Sequence, residues 1–154
     1  MILFINTSQN DLIQIKLIDQ NKIIRQQESH EQFKQAELIL PLIDQVVSAK
    51  GGSASGRKKA KLEAVAVVSG PGAFSALRFG LTTANTLAWS LHLPLIDLTV
   101  NQAESDEELI KTLEKKFPPK ADAPLAQKNI KAGDFKPVIP RYGHEPHITI
   151  SIKK

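Results

Sequence analysis

The sequence predicts an α/β fold with its elements in the order β-β-β-α-β-α-β, and three observations lead to this prediction. Apolar and polar residues alternate over 12–18, which is typical of a half-exposed strand. An unbroken apolar run at 64–68 is typical of a strand covered on both faces. A helical apolar repeat over 76–91 separates that run from the apolar segment 94–100, so we expect two parallel strands joined by a right-handed crossover.

The first half of the chain is predicted to form an antiparallel meander followed by a helix. The compact apolar run 2–6 is typical of a buried strand, and turn residues separate it from strand 12–18 and from a third strand at 23–26. The apolar spacing then changes to the helical period over 31–49. Pro41 lies inside this pattern, so it must kink the helix or mark its first well-formed turn.

The second half is predicted to continue with helices that begin at recognisable caps. A glycine-rich turn follows strand 64–68 and leads into helix 76–91, and Ser75 is placed to cap that helix. Ser105 and Glu108 form a capping-box pattern ahead of another apolar stripe, which predicts a further helix.

This order of elements is the layout of a single ribonuclease-H-like or actin-like ATPase lobe, here with a reduced second lobe and a C-terminal tail. We predict the lobe over residues 1–100 and an extra amphipathic helix over 101–117. A linker rich in Pro, Lys and Ala is expected over 118–137, and the tail over 138–154.

Composition excludes several classes of protein. The 154 residues are 42% hydrophobic, which is enough for a core, and no apolar run is long enough to span a membrane. The net charge is +4, but the only local basic cluster is 57–61 and aromatic residues make up 5%, so a solvated basic loop is favoured over a nucleic-acid surface. Cysteine is absent, which excludes disulfides and thiolate metal sites. We therefore expect a cytoplasmic protein without a bound metal or cofactor.

Two motif-like stretches lack the chemistry that their spacing suggests. Residues 51–58 imitate the glycine spacing of a P-loop, but they lack its lysine and its magnesium-binding hydroxyl and follow a helix instead of a strand. His144 and His147 are three positions apart with Pro146 between them, so they cannot share a helical face as zinc ligands do. There is also no Gly-x-Ser-x-Gly elbow to support a serine hydrolase.

The most informative stretch is the turn between strand 64–68 and helix 76–91. A helix that starts after a glycine turn can hold an anion. Alternatively, the glycines only make the turn and Phe74 fills the core. Both interpretations stay open from the spacing alone. The candidate site residues in this turn are Gly70, Pro71, Gly72, Phe74, Ser75 and Arg78.

Residues 70–80 resemble the signature Gly-Pro-Gly-Ser-Phe-Thr-Gly-Leu-Arg-x-Gly of the TsaB (YeaZ) family, the accessory subunits of bacterial tRNA threonylcarbamoyladenosine synthesis. Residues 5–8 resemble the family's Ile-Asp-Thr-Ser start. Residues 37–43 resemble its Glu-x-Leu-Leu-Pro-Leu-Ile helix, which accounts for the internal proline. Residues 93–96 are similar to its Ile-Pro-Leu-Val strand, and 140–142 are similar to its closing Pro-x-Tyr motif.

The chain departs from the family pattern in four respects. Ala73, Ser75 and Ala76 differ from the residues of the Gly-Pro-Gly signature. Asn6 stands where the family usually has aspartate, Gln35 stands where it often has histidine, and the family's second lobe is mostly missing. An amide cannot act as a base or as an anionic ligand for magnesium. The resemblance therefore implies a shortened member with an accessory role, which is not an enzyme on its own.

The resemblance also implies partners. These are a TsaD-type catalytic subunit and a TsaE-type ATPase, in a complex that modifies tRNA, so that tRNA is reached only through the complex. In the family the contacts come from the first two helices, which are 31–49 and 76–91 here. Leu38, Leu42 and Phe79 lie off or at the edge of the best core stripes, so we predict them as partner contacts, although they could simply widen the core. The same face is expected to form a homodimer when the chain is alone.

Two alternatives remain. A small ATP-dependent transferase or hydrolase would act through the Gly70–Arg78 loop, and turnover of nucleotide by the isolated chain would reveal it. An RNA-binding module would use residues 57–61, and its tRNA binding would weaken steeply with salt.

Overall fold

A single mixed sheet of five strands forms the centre of the computed structural model, which describes residues 1–48, 60–118 and 134–143. The strands are β1 (Ile2–Asn6), β2 (Ile13–Asp19), β3 (Lys22–Ser29), β4 (Ala64–Gly70) and β5 (Leu95–Thr99). In space they lie in the order β3-β2-β1-β4-β5. The P-loop imitation at 51–58, most of the basic cluster 57–61 and the histidine pair fall outside the described residues.

The predicted meander and parallel strands are both confirmed. β1 pairs antiparallel with β2, which pairs antiparallel with β3, while β1–β4 and β4–β5 are parallel pairs. Phe4 marks the register, because it lies opposite Lys16 of β2 and Ala66 of β4. The sheet therefore changes from antiparallel to parallel pairing at its central strand.

Three helices pack on the sheet. They are α1 (Gln35–Val47), α2 (Phe74–Ser90) and α3 (Asp106–Lys116), with a short 3₁₀ turn before α3. α1 contacts β2 and β3, and α2 contacts mainly β4, so these two helices lie side by side on one face. α3 covers the other face. No helix within the described ranges has the length and apolar character needed to cross a bilayer.

The strand residues divide between two apolar cores because side chains alternate across a strand. Leu3 and Ile5 join the cluster beneath α1 and α2, whereas Phe4 joins the cluster beneath α3. Every residue of β4 is buried. The unbroken apolar run at this strand is thus explained by cover on both faces.

Local backbone geometry sets two boundaries that the sequence pattern placed elsewhere. α1 begins at Gln35, later than the expected 31, because Phe33 has a φ of 58°, which cannot continue a helix. β3 is longer than expected because it pairs with β2 along its whole length. Gln20 and Asn21 both have positive φ, as a tight two-residue hairpin requires.

The structure tests two predicted helix features, the cap at Ser105 and the position of Pro41. Ser105 caps α3 as predicted, since its Oγ accepts the N–H of Glu108 at 3.2 Å. Pro41 lies exposed in the interior of α1, which begins well before it and continues to Val47, so the proline does not mark the first turn.

Leu42 belongs to the core, so its expected position at the edge of the core stripe is wrong. Only 9% of it is exposed, and it packs in the same cluster as Ile39, Ile43 and Val46. Its neighbour Leu40 is 59% exposed instead. The proline-containing helix turns its apolar stripe toward the sheet such that position 42 faces inward and position 40 outward.

We expect Leu42→Ala to lower the free energy of unfolding by about 2–5 kcal/mol, because it leaves a cavity under α1. Leu40→Ala is the matched control, and it should change stability by no more than about 0.5 kcal/mol because its side chain is exposed. Urea unfolding of both variants measures the difference. Equal destabilisation by the two substitutions would contradict this packing.

Candidate functional site

The carboxyl ends of the parallel strands β1 and β4 meet at one edge of the sheet, which is where open α/β sheets commonly bind ligands. β1 ends at Asn6 and continues into Thr7 and Ser8, while β4 ends at Gly70. Asn6, Thr7 and Ser8 are all buried. The polar groups of this edge are therefore enclosed by the protein itself.

The Gly-Pro-Gly turn, which runs from Gly70 to Gly72, packs directly on the backbone of two other segments. Gly70 has a φ of +130°, and a β-carbon on it would overlap the carbonyl oxygen of Arg141. A β-carbon on Gly72 would overlap the carbonyl oxygen of Ser8, which also accepts the N–H of Ala73 at 2.8 Å. The turn thus needs glycine for an unusual conformation at one end and for close approach at the other.

α2 begins at Phe74, earlier than predicted, and Ser75 does not cap it. The N-cap is Ala73, whose backbone is extended and whose side chain makes no cap hydrogen bond. The carbonyl of Ala73 accepts the N–H of Leu77 at 2.9 Å, which closes the first turn. The predicted Ser75 cap is wrong because the turn itself sets the start of the helix.

Thr7 joins the end of β1 to the first two turns of α2. Its Oγ1 donates to the carbonyl of Ala76 at 2.7 Å. A β-carbon on Gly80 would overlap that same Oγ1, so α2 can lie this close only because position 80 is glycine. A hydroxyl and a glycine together fix the distance between strand and helix.

Asn6 has a local structural partner. Its Oδ1 accepts the N–H of Ser8 at 3.0 Å, and only 7% of the residue is exposed. This bond shapes the backbone after β1, as asparagine commonly does in turns. The amide that replaces the family's carboxylate therefore acts on the chain's own backbone.

Phe74, Arg78 and Tyr142 form an exposed cluster over the start of α2. The Phe74 and Tyr142 rings are 4.6 Å apart between centroids and tilted by 34°. The Arg78 guanidinium carbon lies 3.9 Å from the Phe74 centroid, and Arg78 Nε donates to the Tyr142 hydroxyl at 3.0 Å. Such ring and cation–π contacts hold Tyr142 against the helix.

Tyr142 belongs to an extended segment, residues 134–143, which we call the strap. Asn85 of α2 holds the strap by two hydrogen bonds, since its amide donates to the carbonyl of Val138 and accepts the N–H of Val138, both at 2.9 Å. Phe135 and Val138 pack against the core beneath α1 and α2. The predicted boundary between linker and tail, at 137/138, falls inside this continuous segment.

The far end of the strap joins the sheet edge beside the Gly-Pro-Gly turn. The N–H of Arg141 donates to the carbonyl of Ser69 at 2.7 Å, and its guanidinium pairs with the Asp97 carboxylate of β5. Gly143 lies against Pro71. The two stretches that resemble family motifs, around 70–80 and 140–142, are therefore in contact.

The structure brings most of the candidate site residues around the strap. Gly70 and Pro71 contact its backbone, Phe74 and Arg78 contact Tyr142, and Ser75 is exposed in the first turn of α2. The interpretation that Phe74 fills the core is wrong, because it is half exposed. Anion binding at this helix start stays a prediction. Among the described residues, no group of three His, Asp or Glu is placed to hold a metal ion.

The three residues predicted as partner contacts lie in different settings. Phe79 is exposed on α2, whereas Leu42 is in the core. Leu38 is half-buried and packs against the core on the flank of α1 opposite to Leu40, because successive helical residues are about 100° apart. Leu40 was not predicted as a contact residue, although it lies near Leu87 and Leu91 of α2. The available signal was that Leu40 follows the core position Ile39 directly, which places it beside the core stripe of α1.

Asn85 was also missed, although a polar residue beside the apolar stripe of α2 could have indicated a buried partner. It lies next to Ala84, which is fully buried, and it is the side chain that anchors the strap. Its partner lies far along the chain, so no local pattern identifies the pair.

We expect Gly72→Ala to lower the free energy of unfolding by about 1–3 kcal/mol, because the new methyl group must displace the Ser8 carbonyl or the turn. Ser75→Ala is the control, and it should have little effect because Ser75 is exposed and caps nothing. Thermal or urea unfolding compares the two. A Gly72→Ala variant as stable as the parent would overturn the close approach.

Comparison with known proteins identifies the relatives of this fold and turn. The sequence model of the family described as "TsaD: tRNA N6-adenosine threonylcarbamoyltransferase" matches residues 20–121, which is more than half of the chain. Proteins named tRNA N6-adenosine threonylcarbamoyltransferase from the Streptococcus pyogenes strains Manfredo and SSI-1 are each 38% identical over 86 residues. The alignment spans 49% of this chain but only 24% of each relative.

Two solved structures share the fold. One is YeaZ from Pseudomonas aeruginosa, and the other is an uncharacterized protein with similarity to peptidase YEAZ from the same organism. Both superpose with a TM-score of 0.53 at 21% identity and cover 64% of this chain, and 43% and 42% of their own lengths respectively. The predicted actin-like lobe and the resemblance to TsaB (YeaZ) are confirmed. The chain belongs to the tRNA N6-adenosine threonylcarbamoyltransferase (TsaD) family, and its fold is similar to that of YeaZ.

Proposed function

We propose that this chain is a non-catalytic subunit of the complex that makes N6-threonylcarbamoyladenosine in tRNA. In this role it binds and supports a TsaD-type catalytic subunit, with a TsaE-type ATPase as a further partner and tRNA reached through the complex. The chain matches about a quarter of the length of its curated relatives, so the proposal rests on the surfaces that this one lobe presents.

The observation that carries the proposal is an apolar cleft of about 530 Å³ between α1 and α2. Leu40, Ile43 and Val47 of α1 line one side, while Leu87 and Leu91 at the end of α2 line the other. Leu40 and Leu91 are among the large hydrophobic side chains that the described part of the chain exposes. Exposed apolar surface of this kind commonly marks a protein interface.

The outer face of α2 carries a further exposed apolar residue. Phe79 is 44% exposed and points away from the sheet, because the core positions Leu77, Leu81 and Ala84 lie on the opposite side of the helix. A helix pair with apolar residues in its cleft and on its outer face is suited to packing against two further helices. A TsaD-type lobe or, in its absence, a second copy of this chain would supply them.

The polar groups at the sheet edge support a non-catalytic role, because they form hydrogen bonds within the protein itself. Asn6 carries no charge, and its Oδ1 accepts a backbone N–H. Thr7 and Ser8 are bonded to α2 and to the Gly-Pro-Gly turn. An actin-like phosphotransferase holds magnesium with carboxylates at this position, which an amide engaged with its own backbone does not replace.

We expect Leu40→Asp and Phe79→Asp to weaken capture of the purified TsaD-type subunit by roughly a hundredfold or more, because an unpaired charge is costly in an apolar interface. Self-association of the chain should weaken in parallel. Ile24→Asp is the matched control, since Ile24 is also 44% exposed but lies on the edge strand β3 and lines neither the cleft nor the outer face of α2. Pull-down and analytical sedimentation measure both assemblies.

Equal binding by Ile24→Asp and Phe79→Asp, with all variants folded, would place the interface elsewhere. Failure of the parent chain to bind the catalytic subunit from the same genome would reject the proposed function itself.

We also expect no ATP turnover by the isolated chain, because Asn6 carries no charge and its Oδ1 already accepts the Ser8 N–H. We expect none by an Asn6→Asp variant either, because among the described residues no group of three His, Asp or Glu is placed to hold a metal ion. Phosphate release after extensive purification measures this. The alternative, a small ATP-dependent transferase or hydrolase acting through the Gly70–Arg78 loop, predicts turnover that Asn6→Ala or Ser75→Ala abolishes.

A further inference from the structure

The strap is held on the lobe mainly by directional contacts at two separate places. Each of residues 134–143 is either exposed or only half-buried. Near the middle of the strap, Val138 is fixed by both bonds from Asn85. Toward its end, Arg141 and Tyr142 contact the Gly-Pro-Gly turn and the first turn of α2. A segment with so little buried surface opens locally far more readily than a buried strand unfolds.

The contacts at the end of the strap add to those that Thr7 and Ser8 make with the start of α2. The first turn lacks a side-chain cap, and the exposed residues Phe74 and Arg78 contact Tyr142 and each other. The Arg141 carbonyl lies so close to Gly70 that a β-carbon on Gly70 would overlap its oxygen. Release of the strap therefore removes partners from both the turn and the helix start.

We infer that the strap is a latch, in which docking of residues 134–143 orders the Gly-Pro-Gly turn and the first turn of α2, and thereby stabilises the face that receives the partner. Phe79 follows directly on this first turn and is part of the proposed partner face. Because coupling between two sites is reciprocal, binding of the partner must also hold the strap in place. This last link rests on the proposed function, whereas the coupling of strap and helix start does not.

Hydrogen exchange of the isolated full chain tests the latch. Asn85→Ala removes the anchor in the middle of the strap, at a distance along α2 from the turn, and we expect amides of 70–79 to exchange at least about fivefold faster, the lower end of typical coupling. Thr86→Ala is the matched control, because Thr86 is the exposed neighbour on the same helix and makes no strap contact among the described hydrogen bonds. Amides of residues 64–68 in β4 serve as the internal reference and should not change.

A second pair of variants changes residues of the strap itself. Tyr142→Ala should accelerate exchange at 70–79 in the same way, while Ile139→Ala, which alters an exposed residue of the same strap, should not. Tyr142→Phe keeps the ring contact with Phe74 but loses the hydrogen bond from Arg78, so it should lie between the two. Faster exchange at 134–143 without any change at 70–79, in either variant, would overturn the latch.

Exchange in the presence of the purified TsaD-type subunit tests the link to the partner. Binding should slow exchange at 134–143 at least about fivefold, and Tyr142→Ala should weaken the affinity by a similar factor. If the subunit binds and leaves exchange at 134–143 unchanged, the link is wrong. If the subunit does not bind at all, the proposed function fails, and the isolated-chain measurements still decide the latch.

Discussion

The close approach of the end of β1 to the start of α2 is the constraint on which the rest of the structure depends. Two glycines permit it, because side chains at Gly72 and Gly80 would overlap Ser8 and Thr7. The Thr7 hydroxyl then bonds to the first turn of the helix. Because α2 is held at this distance from the sheet, its apolar stripe packs on β4 and buries one face of the parallel part of the sheet.

That constraint also decides where this lobe can act. Polar groups at the carboxyl edge of a parallel sheet are usually available to a ligand. Here Asn6, Thr7 and Ser8 are buried and bonded to the protein's own backbone or to the adjoining turn. The apolar cleft between α1 and α2 lies on the helices instead. The polar groups of the sheet edge are thus used within the protein, and exposed apolar surface lies on the helices, which supports the proposed role of the chain as a binding subunit.

The sequence was a good guide wherever a single element decided the outcome. The alternation in β2, the unbroken run in β4 and the cap at Ser105 each follow from one local pattern, and each is confirmed. Prediction was weaker where distant segments meet. The start of α2 depends on the carbonyl of Ser8, and the partner of Asn85 is Val138, so no local spacing contains either. The position of Leu42 was also hard to predict. The apolar stripe of α1 is wide, so whether a residue at its edge is buried depends on how the helix is rotated against the sheet.

The strap packs on the face of the sheet opposite to α3. α3 packs on one face of the sheet, whereas Phe135 and Val138 pack on the other, so the chain changes faces between α3 and the strap. There the strap covers the flank of α2 with backbone hydrogen bonds, an aromatic pair and one arginine at the edge strand β5. Directional contacts at a partly exposed surface give position with little burial, and a segment of that kind can be released while both apolar cores stay intact. A fully buried helix in the same place would add permanent contacts to a helix start that Thr7 and Ser8 already fix, whereas the strap adds contacts that can be released.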